Sequence, residues 1–279
     1  TRKSFPRILG SCLLQNCIDR GLDMENGGVR YHFGSGIVGV GCADVVDALA
    51  AVKKLVFEEK RLTMAQLCEA LKHNFKGDGY REIQRMLLSA PKYGNDDDYV
   101  DLIFKEWMSF IAHEIMSYRD SWGAPYNSDV ASFTRNVTFG KYTGALPSGR
   151  SAGTPLADNT SPKQGMDTKG CTAVAKSTGK SNWALHRIGA ILNIKIEPWV
   201  LEDDRAIINL AAWIRTYHDL GGWHVQFNVV SPETLRDAQE HPERHKGLLV
   251  RISGYTVYFN ELAREVQDDI ISRTSQTSL

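Results

Sequence analysis

The sequence of 279 residues lacks a long apolar run and a surplus of either charge. No apolar stretch approaches the roughly 20 residues that cross a bilayer, which argues against a membrane protein. Thirty-three basic residues balance 33 acidic ones, so the formal net charge is 0. Because nucleic-acid binding normally leaves a basic surplus, nucleic acid is not an expected partner. The same balance argues against a polybasic membrane anchor.

The sequence also lacks closely spaced cysteines, and its first residues do not show the charged-then-apolar pattern of a secretory leader, so we do not expect secretion. Its five cysteines are scattered and none belongs to a Cys-x-x-Cys pair, which is typical of a reducing compartment. We therefore expect a cytoplasmic protein. The same scatter, and eight dispersed histidines, predict no metal site. The chain begins at Thr1 without an initiator Met, so we expect a processed protein or a piece of a longer one.

The first half of the chain is predicted to be mostly helical. Between residues 43 and 58 four apolar residues recur at helical spacing, with Asp44 and Asp47 on the other side, which predicts an amphipathic helix. The sequence from Thr63 to Gln66 is a candidate capping box. An acidic cap at 95–98 is predicted to open a long helix.

The middle of the chain, from about 121 to 180, is rich in Gly, Pro, Ser and Thr and shows few helical patterns. Irregular segments of this length inside compact proteins are usually functional. A linker is the alternative, but the apolar residues between Phe133 and Leu146 argue against a solvated tether.

The last third alternates between strand and helix patterns, which predicts a parallel α/β sheet. The strands are expected at 191–196, 223–230 and 248–252. In the second strand His224, Gln226 and Asn228 share one face of an otherwise apolar segment. Buried polar side chains need partners, so these three are either substrate ligands or members of a satisfied core network.

Two glycine-rich segments have ambiguous roles. Gly34 to Gly39 matches Gly-x-Gly-x-x-Gly after a strand-like stretch at 29–33, which makes a dinucleotide-binding domain one alternative function. However, the second strand that this fold needs is missing at 53–66, so a turn where two backbones pass closely is favoured. Gly144 to Arg150 is either an anion cradle or a structural turn.

The segment Arg251-Ile252-Ser253-Gly254-Tyr255 lies between two apolar strand-like runs. From the residues alone it is a hairpin turn in which Gly supplies conformational freedom. It also resembles the C-terminal signature Arg-Val-x-Gly-Tyr of the glycyl radical enzymes, the pyruvate formate-lyase superfamily. Further segments resemble blocks of that family in the same order: 36–41, 47–57, 90–96, 139–150, 155–158, 222–228 and 267–271.

The resemblance implies that Gly254 holds a stable backbone radical, with Arg251, Ser253 and Tyr255 supporting the radical loop and no metal or nucleotide in this chain. It implies an S-adenosylmethionine-dependent activating enzyme as partner, a small-molecule substrate, anaerobic metabolism and a homodimer of the full-length protein. The reaction classes it implies are lyase and transferase: dehydratase, decarboxylase, arylsuccinate synthase or formate acetyltransferase.

The implied fold is α/β, the C-terminal part of a ten-stranded barrel of two parallel half-sheets with outer helices. Residues 1–150 would be the end of the pyruvate formate-lyase-type domain, and 151–279 a glycine radical domain whose loop meets a cysteine loop in the barrel interior. None of the five cysteines has the family's active-site setting, and Cys42 and Cys171 are expected to be structural. We therefore expect a C-terminal fragment that is inactive alone. A non-catalytic radical spare-part subunit is a further alternative.

Overall fold

The computed structural model describes residues 5–31, 34–120 and 123–278. The helices are α1 Ile8–Cys12, α2 Cys17–Arg20, α3 Cys42–Val52, α4 Met64–Lys72, α5 Tyr80–Ser89, α6 Asp98–Ser117, α7 Arg135–Tyr142, α8 Cys171–Gly179, α9 Asp204–Asp219, α10 Pro232–Glu240 and α11 Arg264–Ser272. The strands are β1 Gly36–Val38, β2 Asn127–Val130, β3 Gly189–Ile196, β4 His224–Val229, β5 Leu249–Arg251, β6 Thr256–Tyr258 and β7 Ser275–Gln276. None of the helices in these ranges is long and apolar enough to cross a membrane.

Five strands form one parallel sheet, which confirms the α/β class. Its order is β1-β2-β3-β4, and β7 pairs with the end of β3. β5 and β6 instead form a separate antiparallel hairpin. The expectation that the 248–252 strand joins the parallel sheet is therefore wrong, because the chain reverses at Gly254 and pairs Arg251 with Thr256.

The two faces of β3 and β4 carry different chemistry. Leu192, Ile194 and Ile196 pack in a core that includes Trp213 and Tyr217 of α9. The intervening residues project to the opposite face, as strand geometry requires. There Asn193, Gln226 and Asn228 hydrogen-bond to the hairpin, and Lys195 donates to two carbonyls of α11. The second face thus carries polar side chains that hold the hairpin and the end of α11.

The helix at 43–58 forms, but its buried face is not the predicted one. A π-helical turn, Lys53–Glu58, continues α3. Asp44 and Asp47 are each 1 % exposed, whereas Val45 is 38 % exposed. The carboxylate of Asp44 accepts from the amide of Ala157 (2.5 Å), and Asp47 accepts from a distant loop amide in the same way. Long-range hydrogen bonds therefore decide which face is buried.

The helix caps form where the sequence predicts them. Thr63 and Gln66 form the reciprocal capping box, and Asp97 caps the long helix α6. The segment 121–180 contains β2, α7 and α8, which the composition did not indicate. Its residues 156–161 are buried, so this part is not a linker.

The Gly-x-Gly-x-x-Gly segment does not form a nucleotide loop. Its residues Gly36–Val38 are the strand β1 itself, and α3 begins only at Cys42. A Cβ on Gly34 would lie 2.0 Å from the carbonyl oxygen of Pro125, so two backbones do pass closely there. The dinucleotide alternative is thus wrong. Of the strand expected at 29–33, residues 29–31 form bends, and 32 and 33 lie outside the described residues.

Candidate functional site

The hairpin between β5 and β6 turns at Ser253 and Gly254; residues 251–255 are called the glycine loop below. The amide of Ile252 donates to the carbonyl of Tyr255 (3.0 Å) and closes the turn. Gly254 has a φ of +81°, a conformation that costs other residues free energy. The sequence therefore needs a glycine here for the turn alone.

The side chain of Gln226 in β4 forms hydrogen bonds with residues before the turn of the glycine loop and with Gly254 in the turn. Its Oε1 accepts from the amide of Gly254 (3.0 Å) and from Nε of Arg251 (3.1 Å). Its Nε2 donates to the carbonyl of Ile252 (2.9 Å). The Gln226 side chain is 5 % exposed, so these contacts fix the loop against the sheet in a largely dry environment.

Asn228, two residues further along β4, binds both the backbone amide and the backbone carbonyl of Arg251. Its Oδ1 accepts from the Arg251 amide (2.7 Å), and its Nδ2 donates to the Arg251 carbonyl (2.9 Å). His224 differs, since the contact of this residue with Tyr217 is through its carbonyl, which accepts from Oη at 3.4 Å. Partial burial, Arg251 and His218 lower the pKa of His224. The structure thus brings Gln226 and Asn228 to the loop by hydrogen bonds, and His224 remains half-buried nearby.

Two further asparagines hold the loop, and the sequence analysis missed both. Asn193 of β3 donates from Nδ2 to the carbonyl of Ile252 (2.9 Å). Asn159 accepts at Oδ1 from the hydroxyl of Ser253 (2.9 Å) and from the amide of Ser132 (2.6 Å). An Asn inside the apolar 191–196 strand was the available signal for Asn193. Asn159 lies in irregular chain, where no spacing pattern marks it.

Gly254 itself is exposed in the described structure. The atom nearest to a Cβ built on it is Cδ1 of Ile191, at 3.9 Å. The neighbouring Tyr255 ring lies 6.3 Å from that of Phe133. The hairpin packs against the polar side chains of β3 and β4, and the expectation that its loop meets a cysteine loop in a barrel interior stays a prediction for the full-length protein.

The cysteines are all free. Burial is the main cause that raises the pKa of Cys42 and of Cys171 to about 12 each. Both thiols belong to apolar cores under the sheet, as expected for structural residues. Among the described residues no group of three or more His, Cys, Asp or Glu side chains is arranged to hold a metal.

The segment from Gly144 to Arg150 is a structural turn. Arg150 is 5 % exposed, and its guanidinium donates to the carbonyls of Gly140 and Gly144 at 2.8 Å each, and to that of Thr154. Because these donors are already used inside the protein, the anion-cradle alternative is wrong.

Comparisons with known proteins give one consistent result. The family profile described as pyruvate formate lyase-like matches residues 1–140, and the glycine radical profile matches 156–260. A probable dehydratase of Escherichia coli is 42 % identical over an alignment of 275 residues, and the match covers 96 % of this chain and 34 % of that protein. An isethionate sulfite-lyase of Oleidesulfovibrio alaskensis is 40 % identical over an alignment of 280 positions, and the match covers 99 % of this chain and 34 % of that protein.

A solved structure agrees with these sequence matches. The B12-independent glycerol dehydratase from Clostridium butyricum superposes with a TM-score of 0.92 at 40 % identity, covering 96 % of this chain and 34 % of that one. The chain therefore spans about a third of the length of the relatives that it matches.

Proposed function

The chain belongs to the pyruvate formate-lyase-like glycyl radical enzymes, and on that basis we propose that Gly254 carries the radical. The observation that supports this most is the glycine loop itself. Gln226 holds the amide of Gly254 and the carbonyl of Ile252, while a Cβ built on Gly254 would meet no atom outside its chain neighbours closer than Cδ1 of Ile191, at 3.9 Å. The five-stranded parallel sheet is then a portion of the family's barrel.

The proposed activation breaks one Cα–H bond of Gly254. The hydrogen atom passes to the carbon radical that an activating enzyme forms by one-electron reduction of S-adenosylmethionine. The unpaired electron stays on Cα of Gly254, shared with the adjacent amide nitrogen and carbonyl. Glycine suits this centre because it has no Cβ to oppose flattening. Arg251, Ser253 and Tyr255 would support the loop.

For the whole protein we propose a lyase that eliminates water or another group from a small molecule, because the similar relatives are named as dehydratases and sulfite-lyases. Formate acetyltransferase-type transfer is the second reaction to test. The radical would act through a cysteine outside this chain, since Cys42 and Cys171 are buried in apolar cores. We therefore propose that this chain alone stores the radical without turnover.

The proposal extends to the organisation of the protein. Residues 1–150 would end the larger catalytic domain, and 151–279 would form the glycine radical domain. The full-length protein would be a cytoplasmic homodimer of anaerobic metabolism. If the chain instead served as a spare-part subunit, adding it to an oxygen-cleaved relative would restore that enzyme's activity.

Electron paramagnetic resonance of the full-length protein after anaerobic activation tests the proposal. We expect a glycyl doublet, and chain cleavage at Gly254 after exposure to oxygen. Gly254→Ala should remove both. The matched control is Gly247→Ala, where a Cβ has open space and φ is not positive, and it should keep both. A silent spectrum with an intact chain would overturn the proposal.

Product assays on the activated protein separate the two reactions. A lyase releases sulfite from isethionate or dehydrates glycerol, whereas an acetyltransferase forms formate from pyruvate and coenzyme A. Formate release without elimination from any such alcohol would overturn the lyase assignment and leave the radical assignment standing.

A further inference from the structure

We propose that Asp158 tunes the Gly254 radical through a chain of two side-chain amides, Gln226 and Asn193, that ends on its carboxylate. This inference rests on the proposed function, because it concerns the electronic state of the radical. Asp158 touches neither the glycine loop nor any reacting atom, so it would be a positioning and polarising residue.

The chain of hydrogen bonds runs in one direction. The amide of Gly254 donates to Oε1 of Gln226 (3.0 Å). Nε2 of Gln226 donates to Oδ1 of Asn193, and Nδ2 of Asn193 donates to Oδ2 of Asp158. Each amide accepts on the side of Gly254 and donates on the side of Asp158. Their dipoles are therefore aligned head to tail.

The amide orientations follow from their neighbours. At one end Gln226 meets two donors, the Gly254 amide and Nε of Arg251, so its oxygen must face them. At the other end Nδ2 of Asn193 meets two acceptors, the carbonyl of Ile252 and Asp158. Reversing either amide would place donor against donor or acceptor against acceptor.

At the far end of the chain of hydrogen bonds, a buried carboxyl group lies beside a buried guanidinium. Asp158 is 1 % exposed, and Nη1 of Arg273 lies 3.5 Å from its Oδ2. Arg273 also donates to Asp269 (2.9 Å). Burial alone would lower the pKa of Arg273, but Asp158 and Asp269 raise it above its usual value, so the cation persists. Burial raises the pKa of Asp158, and the Arg273 guanidinium and the hydrogen bond from Asn193 oppose that rise. Asn159 gives Oδ2 of Asp158 a further donor at 3.3 Å, and these contacts favour the carboxylate.

A charge at the end of an aligned chain polarises every link, because the surroundings are poorly screened. Asn193 and Gln226 are 8 % and 5 % exposed. The polarised Oε1 of Gln226 accepts more strongly and increases the electron density on the Gly254 nitrogen. A radical on the adjacent Cα is stabilised by donation from that nitrogen, so the negative charge of Asp158 increases the share of the spin on nitrogen.

The test uses full-length protein labelled with ¹⁵N-glycine and activated without oxygen. Pulsed electron paramagnetic resonance gives the ¹⁵N coupling of the radical, and its anaerobic half-life is measured in parallel. Asp158→Asn removes the charge. Asn193→Leu cuts the chain and leaves the Asp158–Arg273 pair intact. Asp269→Asn is the matched control, since it removes the other carboxylate on Arg273 without touching the chain.

Asp158→Asn and Asn193→Leu should each lower the ¹⁵N coupling and shorten the half-life, because the first removes the polarising charge and the second interrupts the chain of hydrogen bonds. Asp269→Asn should not lower the coupling, because Asp269 raises the pKa of Asp158 and its loss favours the Asp158 carboxylate. The double variant should be no lower than Asn193→Leu alone, because the two changes interrupt one chain. Asn193→Leu could also remove the doublet completely in a protein that still folds. If Asp269→Asn keeps its doublet, that loss supports the proposal in the same way as a lower coupling.

Unchanged coupling in Asn193→Leu overturns the proposal, and this variant decides alone if Asp158→Asn does not fold. An equal decrease in Asp269→Asn also overturns it, because the effect would then belong to the ion pair as a whole. A wild-type protein without any glycyl doublet is a different outcome, which refutes the radical assignment to Gly254 itself.

Discussion

Replacing Gln226 by Leu should loosen the glycine loop without removing its glycine. The substitution deletes three contacts with the loop: the acceptor for the Gly254 amide, the donor to the Ile252 carbonyl and the acceptor for Nε of Arg251. Two of these are neutral bonds worth about 1 kcal/mol each. The third involves a guanidinium that is half-buried, so we add at most about 2 kcal/mol for it.

The free energy of opening the loop should therefore fall by roughly 2–4 kcal/mol. Because 1.4 kcal/mol corresponds to a factor of ten, the amides of Ile252 and Gly254 should exchange with deuterium about 30- to 1,000-fold faster. Asn193 and Asn228 still hold the loop from the sheet, so the flanking strands should keep their protection. Hydrogen–deuterium exchange on a peptide spanning 248–259 measures this.

The matched control is Gln239→Leu. That glutamine donates to Asp268 in an exposed pair, so its loss should leave the exchange of the 248–259 peptide unchanged. If Gln226→Leu also leaves that exchange within a factor of two of the wild type, the side chain does not hold the loop, and our account of the site is refuted.

Three further results are expected. Gly254→Ala should lower the free energy of unfolding by about 1–2 kcal/mol, since φ is +81° but a Cβ meets no atom closer than 3.9 Å; a urea titration showing no loss would contradict this. Burial raises the pKa of Asp47 to about 7, and Lys92 opposes only part of the shift. The folded state then holds a proton that the unfolded chain releases from about pH 4 upward, so this residue costs stability increasingly between pH 4 and 7, by up to about 4 kcal/mol. Asp47→Asn should remove that slope, and parallel pH profiles of the two proteins would refute the assignment. Iodoacetamide at pH 8 should modify the exposed Cys68 and spare the buried Cys42; mass spectrometry showing equal labelling would contradict the burial.

The sequence predicted local features well where the deciding interactions are local. The capping box at Thr63 needs only residues three apart, and it is confirmed. The strand pattern at 191–196 is confirmed as the end of β3. The buried face of α3 was predicted wrongly because Asp44 and Asp47 bind the amides of loops that are about 113 and 46 residues away. A periodicity count cannot include such partners.

In the candidate site, too, the sequence predicted the local features and missed the long-range contacts. The motif at 251–255 identifies the glycine. The alternation of polar residues in β4 identified Gln226 and Asn228, but it did not decide whether they bind substrate or belong to a hydrogen-bonded core network. Asn193 and Asn159 were missed because a single Asn has no spacing signature and meets the loop only after the sheet forms. The exposure of Gly254 was also not predicted, since the resemblance concerns a protein about three times as long as this chain.

The most direct measurement of the central claim is electron paramagnetic resonance of the activated full-length protein grown with glycine deuterated at Cα. If the unpaired electron resides on Gly254, the doublet that its single α-hydrogen produces in unlabelled protein should collapse towards a singlet, and Gly254→Ala should give no signal. A splitting that survives deuteration, or a signal that survives the substitution, would contradict the account.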